Sequence, residues 1–228
     1  MAPKLNTTAD GSLYVSLRDM IAWDAGLRTR KVLKPSTWDQ VFTAVSLNSG
    51  RTYPYGFGWD VANVNAHRAH RHGGSWQGFK SYIARYPDDD LTVIVLANLA
   101  QADPEKISDG VAAVIDATLA PAELKPIAER DEAMEVRVRR LLADAAAGKL
   151  SADEFAYVRA GFFPNAARAY AERLKDAGAV TGLTLLQKRE LGDDWVYVYE
   201  VAFGARRMRL RLAVAPDRKL AAFSLIPG

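Results

Sequence analysis

At 228 residues, 49% hydrophobic and 25% charged, the chain carries enough apolar material for one or two packed domains and no long stretch that reads as disordered. Its net charge of +3 is dispersed among interspersed acids and bases, which argues against a nucleic-acid partner. The absence of cysteine excludes disulfides, thiolate metal sites and thiol catalysis together.

Polar residues follow Met1 without a signal-like apolar region. The longest apolar run, Leu91 to Ala100, is far too short to span a bilayer. No membrane span is therefore expected, and the compartment is left unassigned. Ser16 with Asp19 three residues later predicts a capped helix start, with Leu17, Met20, Ile21, Trp23 and Leu27 at helical spacing. A second helix is predicted from Pro35 through Val41, Phe42 and Val45, stopped by Asn48-Ser49-Gly50. The aromatic, glycine-rich segment Tyr53 to Trp59 precedes a predicted hairpin over 61–69. Residues 81–86 and the β-branched run 91–98 read as an antiparallel pair across a solvated turn at Pro87-Asp88-Asp89-Asp90. Asp103-Pro104-Glu105 opens a helix with Ile107, Val111, Val114, Ile115 and Leu119 on its apolar face.

The segment Pro121 to Pro126 is the expected boundary, giving domains 1–121 and 122–228. Beyond it a charged helix runs from about Glu129 to Ala147, a shorter one starts at Ser151, and a third runs from Pro164-Asn165 to near Gly178. Strands follow at 184–187, 195–199, 208–212 and 220–223, with Gly204 and Pro216-Asp217 as hairpin turns. The pattern is α+β in both parts.

Five signposts then stand in order: Gly-Ser-Leu-Tyr-x-Ser at 11–16, Tyr-Gly-Phe-Gly-Trp at 55–59, His-Gly-Gly-Ser-Trp-Gln-Gly-Phe at 72–79, Ser-Tyr-Ile-Ala at 81–84 and Val-Ile-Val-Leu-Ala-Asn at 93–98. With these, residues 11–121 resemble the C-terminal half of the serine β-lactamase-related hydrolases, the penicillin-binding protein and class C β-lactamase-like group. The resemblance implies a partial transpeptidase-like antiparallel sheet with flanking helices. It also places His72 at the third catalytic motif, followed by Gly73 and Gly74, and gives the backbone N–H of Ser75 an oxyanion-donor role. Gly73, Gly74 and Trp76 would border substrate, a small amide, ester or peptide. The plain alternative is that His72 is a structural histidine before a bend.

The family's chemistry needs Ser-x-x-Lys, and no serine here has lysine three residues on; Tyr-x-Asn is absent as well. The expectation is a chain that begins after both motifs and gives no acyl-enzyme turnover alone. The competing class is a non-catalytic peptide-binding or protein-interaction module. In the family's sheet the strand matching 91–98 lies beside an N-terminal strand. Its edge is thus expected to be covered by another copy, by the second domain or by a complementing N-terminal segment.

His67, His70 and His72 form H-x-x-H-x-H, but no carboxylate sits close in sequence and the family needs no metal; no metal or other cofactor is expected. Trp59 and Phe79 are expected in the core, with Trp76 alone bordering the cleft. Residues 122–228 resemble a cystatin-like or nuclear-transport-factor-like cone, in which Arg207, Arg209 and Arg211 share a strand face, either solvated or open to an anionic ligand.

Overall fold

The computed structural model describes residues 11, 13–76, 78–158 and 163–227. The chain divides between Ala122 and Glu123 into two compact units, each built of helices and antiparallel sheet. Among the described residues no helix is long and apolar enough to cross a membrane.

In the first unit, α1 spans Leu17–Arg28. The Ser16 side chain accepts from the Asp19 N–H at 3.3 Å, and Asp19 Oδ2 accepts from the Ser16 N–H at 2.7 Å. Two of the orphan donors at the helix start are thereby satisfied. Helix α2, Pro35–Val41, begins with proline at its first turn and stops earlier than the sequence suggests. The Val41 carbonyl accepts from the Phe57 N–H at 3.0 Å, and the Val45 N–H bonds the Tyr55 carbonyl at 3.0 Å. Tertiary partners thus replace the next helical turn. Val45 lies in β1, Val45–Ser46, paired with β2, Thr52–Tyr53, across the turn that contains Gly50 at φ +84°.

The main sheet has the order β3-β4-β5-β6, from Asp60–Val64, His67–Trp76, Phe79–Tyr86 and Leu91–Ala97, with every neighbouring pair antiparallel. On one face Ile83, with Val61 and Ile94, packs against Leu27, Trp38, Val41 and Trp59. On the other, Ala69, Tyr82, Ala84, Tyr86 and Val93 pack against Ala112 and Leu119, from α3, Pro104–Ile115, and the 3-10 turn Ala117–Leu119. Strand β6 is an edge, with β5 as its one strand partner among the described residues.

A further expectation fails in this unit. Helix α3 buries Pro104, Ser108 and Ala112, whereas the stripe Ile107, Val111, Val114 and Ile115 is exposed, Val114 by 88%. Apolar periodicity marks a face that wants cover and does not say what covers it. The 87–90 turn is exposed at Pro87, Asp88 and Asp90, as expected of a solvated turn, and its carboxylates also pair with neighbours: Asp88 with Arg68, Asp89 with His67 and Asp90 with Arg28.

The helical and sheet layers are tied by a buried ion pair. Arg85 Nε donates to Asp24 Oδ1 at 2.7 Å, with both side chains nearly inaccessible. Burial pushes the Asp24 carboxyl up. Hydrogen bonds from Arg28 (2.6 Å), Arg85 and Thr92 (3.0 Å) outweigh it and hold the carboxyl below its ordinary value.

The second unit contains α4, Glu132–Ala146, and α5, Asn165–Leu174. Its sheet is β7-β8-β9-β10, from Gly182–Leu191, Asp194–Phe203, Arg206–Val214 and Leu220–Pro227. Val138, Leu141, Leu142, Ala145, Ala167 and Leu174 pack on Tyr199, Val201, Met208, Leu210 and Leu212. Register shifts at Leu185/Gln187 and Leu220/Ala222 raise the local twist. The helix expected from Ser151 is only the 3-10 turn Ala152–Glu154, because Phe155 is drawn into the core and bridges Leu220. Arg207, Arg209 and Arg211 are exposed along β9.

Replacing Asp24 by Ala strands Arg85 as an uncompensated buried charge. The expected loss is about 3 kcal/mol of first-unit stability, read by denaturant titration. The double replacement Asp24→Leu, Arg85→Met recovers most of it. A single variant within about 0.5 kcal/mol of the parent would remove this pair as the tie between layers.

Candidate active site

Strand β3 ends opposite Arg71, where Asp60 is its last partner, while β4 continues to Trp76. From His72 onward β4 is paired only with β5 among the described residues, so the backbone of His72 to Trp76 has one open edge. A cleft of about 990 Å³ adjoins this stretch. Its walls include all five residues together with Leu13, Tyr14 and Val15, Met20 of α1, Phe79, Lys80 and Ser81 of β5, and Leu96 and Asn98. Among the described residues no aspartate or glutamate lines it.

Cross-strand packing explains the two glycines. A Cβ at Gly74 would stand 2.5 Å from Ser81 Oγ, and one at Gly73 would stand 3.2 Å from the Tyr82 ring. Side chains from β5 thus occupy the space that glycine leaves, and the strand stays thin at the cleft.

His72 is exposed and meets Tyr55, whose hydroxyl lies 2.9 Å from Nε2. Tyr55 is placed by the glycine-rich turn after it. The Gly56 N–H bonds the Trp59 carbonyl at 2.7 Å, and Tyr55 bridges Asp60. Gly56 has no alternative, since a Cβ would lie 2.1 Å from the Val41 carbonyl oxygen. Gly58 sits at φ +78°, in the left-handed region where glycine carries no Cβ penalty. Burial, with the Asp60 carboxylate adding to it, raises the Tyr55 hydroxyl above its ordinary value.

The other histidines have separate surroundings. His67 Nδ1 lies 2.8 Å from Asp89, and Thr118 Oγ1 lies 3.0 Å from His67 Nε2. His70 stacks on Phe42, with centroids 4.1 Å apart and planes 6° apart. Burial, assisted by the Arg85 and Arg68 charges, pushes His70 down to about 4. Among the described residues no group of three His, Asp or Glu is arranged to hold a metal ion.

The structure therefore brings His72, Gly73, Gly74, Ser75 and Trp76 to one cleft wall. Trp59 is buried, but Phe79 is 56% exposed and lines the cleft, so its expected core place is corrected: it lies at the β4–β5 hairpin tip, beyond the packed layers. Sequence reasoning missed Tyr55, although the Tyr-Gly-Phe-Gly-Trp motif pointed to that loop. It also missed Ser81, whose role appears only through strand register.

The profile of the family described as Beta-lactamase matches residues 1–117, just over half of the chain. The chain belongs to the β-lactamase family, a family of serine hydrolases. Penicillin-binding protein 4* of Bacillus subtilis (strain 168) is 32% identical over 90 residues, covering 39% of this chain and 20% of that protein. A D-aminopeptidase of Gluconobacter oxydans (strain 621H) is 30% identical over 91 residues, covering 40% of this chain and 17% of that one. A D-aminopeptidase of Brucella ovis is 23% identical over 124 residues, covering 54% of this chain and 23% of the relative. The matched part of this chain thus spans about a fifth of the length of these curated relatives.

Two outcomes follow from this geometry. Gly74→Ala should destabilise the first unit through the Ser81 hydroxyl, and adding Ser81→Ala should restore most of the loss; a single variant as stable as the parent refutes the cross-strand account. For His70, the unfolded imidazole takes up protons near its ordinary value of 6.5, while the folded one resists until about 4. The unfolded state therefore binds more protons across that interval, and stability should fall as pH drops through it. His70→Gln should flatten that slope in denaturation measured across the same range.

Proposed function

We propose that His72 to Trp76 form one wall of the acyl-transfer cleft of a β-lactamase-related serine hydrolase acting on a small amide, ester or peptide. The observation that carries this reading is the half-open strand: β4 is paired on both sides along its first half, then runs past the end of β3 with its edge bare among the described residues and its glycines thin. An extended substrate can add to that edge as a strand, with backbone hydrogen bonds fixing its register. The Ser75 N–H then serves as one oxyanion donor when a serine oxygen attacks the carbonyl. The scissile C–N or C–O bond breaks, the leaving amine or alcohol takes a proton, and water later hydrolyses the acyl-serine ester. His72 supplies polar contact to the substrate from this wall, and Trp76 and Phe79 offer apolar contact.

No serine of this sequence has lysine three residues on, so the nucleophile and its base come from outside the sequence described. The names of the relatives, penicillin-binding protein and D-aminopeptidase, favour D-amino-acid peptides or β-lactams as substrates. The missing pair also supports a second reading, a peptide-binding or protein-interaction module derived from the fold. The two differ in whether a nucleophile-bearing segment restores turnover.

Strand β6 supports a partner at its open edge, from a complementing N-terminal segment or a second copy. Leu96 is exposed on β6, and the stripe Ile107, Val111, Val114 and Ile115 is exposed on α3; exposed apolar surface of this kind supports an interface. The second unit, helices followed by a twisted antiparallel sheet, fits a cystatin-like or nuclear-transport-factor-like tail. Its Arg207, Arg209 and Arg211 face fits solvent or an anionic ligand.

Mixed with nitrocefin or a fluorescent penicillin, the isolated chain should show neither turnover nor covalent label. A 15N-labelled sample titrated with a D-alanyl peptide should shift the amides of residues 72–76 above all others. Stoichiometric acylation would overturn the missing-nucleophile account, and unmoved 72–76 amides would overturn the cleft assignment.

A further inference from the structure

We infer that Tyr55 is a positioning residue for His72, donating its hydroxyl proton to Nε2 so that the neutral imidazole keeps its proton on Nδ1 and meets the cleft as a hydrogen-bond donor. The functional consequence rests on the cleft assignment above; the tautomer itself does not.

Several constraints converge on this contact. The Tyr55 backbone is held on both sides: the Val45 N–H bonds its carbonyl at 3.0 Å, and the neighbouring Pro54 carbonyl accepts from the Val61 N–H at 3.0 Å. The turn after it cannot relax toward a side-chain-bearing residue at Gly56, and it is anchored by Trp59, which is buried in the core. The hydroxyl therefore reaches His72 from a rigid loop, and little freedom is lost in making the 2.9 Å bond.

The direction of that bond follows from acidity. A phenol O–H is a stronger acid than a neutral imidazole N–H, and an imidazole nitrogen is a far stronger base than a phenol oxygen, so the pair favours Tyr55 as donor and Nε2 as acceptor. With Nε2 filled, Nδ1 is the ring nitrogen left without a protein partner among the described residues, and His72 lines the cleft. A donor there suits a substrate carbonyl or carboxylate. A base would need the opposite arrangement, with an unprotonated nitrogen facing the reacting group. Other titratable groups around this wall, among the described residues, include Asp60 at the end of β3, Tyr14 before α1, Lys80 and Tyr82 on β5, and His70 two residues back on the same face of β4. None of their side chains is hydrogen-bonded to His72.

Three histidines make the test direct. Long-range 1H–15N correlation of the labelled chain, above the range where imidazole is protonated, reports the tautomer of each ring, and His72→Gln identifies the His72 signals. The expected result is the Nδ1–H form at His72. Tyr55→Phe, which keeps the aromatic ring, should move the tautomer ratio by roughly fivefold toward Nε2–H, the worth of one ordinary hydrogen bond. An Nε2–H ring in the parent, or a ratio unchanged in Tyr55→Phe, overturns the inference. If Tyr55→Phe does not fold, the parent's tautomer alone decides. The peptide titration above tests the cleft separately. An Nδ1–H ring with unmoved 72–76 amides would uphold the positioning and sink the functional reading, whereas shifted amides with an Nε2–H ring would do the reverse.

Discussion

Strand β3 stops at Asp60 because the chain before it must turn through Gly56 and Gly58 to bury Trp59, and that stop shapes everything around the cleft. Its partner β4 is twice as long and continues to Trp76. The first half of β4 is an interior strand with ladders on both sides; the second half is an edge. One strand thereby serves two purposes, anchoring in the core at Ala69 and presenting backbone at His72 to Trp76. The same turn that ends β3 places Tyr55 beside His72, so the opening of the edge and the orientation of the imidazole have one cause.

The sheet itself is held between dissimilar layers. On the α1 and α2 side, aromatic packing surrounds a buried ion pair, in which Asp24 receives Arg85, Arg28 and Thr92. Such a pair contributes little net stability against an apolar replacement, and through Arg85 and Thr92 it joins α1 to β5 and β6. On the α3 side Ala112 and Leu119 pack on the sheet, and the Tyr82 hydroxyl donates to Glu105 of α3 at 3.1 Å. Polar atoms there include Ser108 Oγ and Tyr86 Oη, buried without a protein partner. The larger apolar stripe of α3 is turned outward.

Much of the local structure was legible in the sequence, because its signals are local. The Ser16–Asp19 capping box, the hairpins around Gly204 and Pro216-Asp217, and the antiparallel pair of 81–86 with the 91–98 run all rest on contacts between neighbouring segments. Expectations failed where distant partners competed. The second helix ended at Val41 because Phe57 took its carbonyl, and the helix after Ser151 was replaced by a strand-like bridge at Phe155. Phe79 looked like core by hydrophobicity alone, yet it sits at a hairpin tip.

At the cleft the division is the same. By itself the sequence determined the family, through five motifs in order, and it determined that no Ser-x-x-Lys pair lies within these 228 residues. Those are statements about residue identity, which a linear chain carries in full. Only the tertiary structure decided that Gly74 faces the Ser81 hydroxyl, that His72 is engaged by Tyr55, and that the three histidines have three different environments. Each of these depends on which residues a strand register or a turn brings within about 3 Å, the reach of a hydrogen bond, and spacing along the chain does not encode that distance.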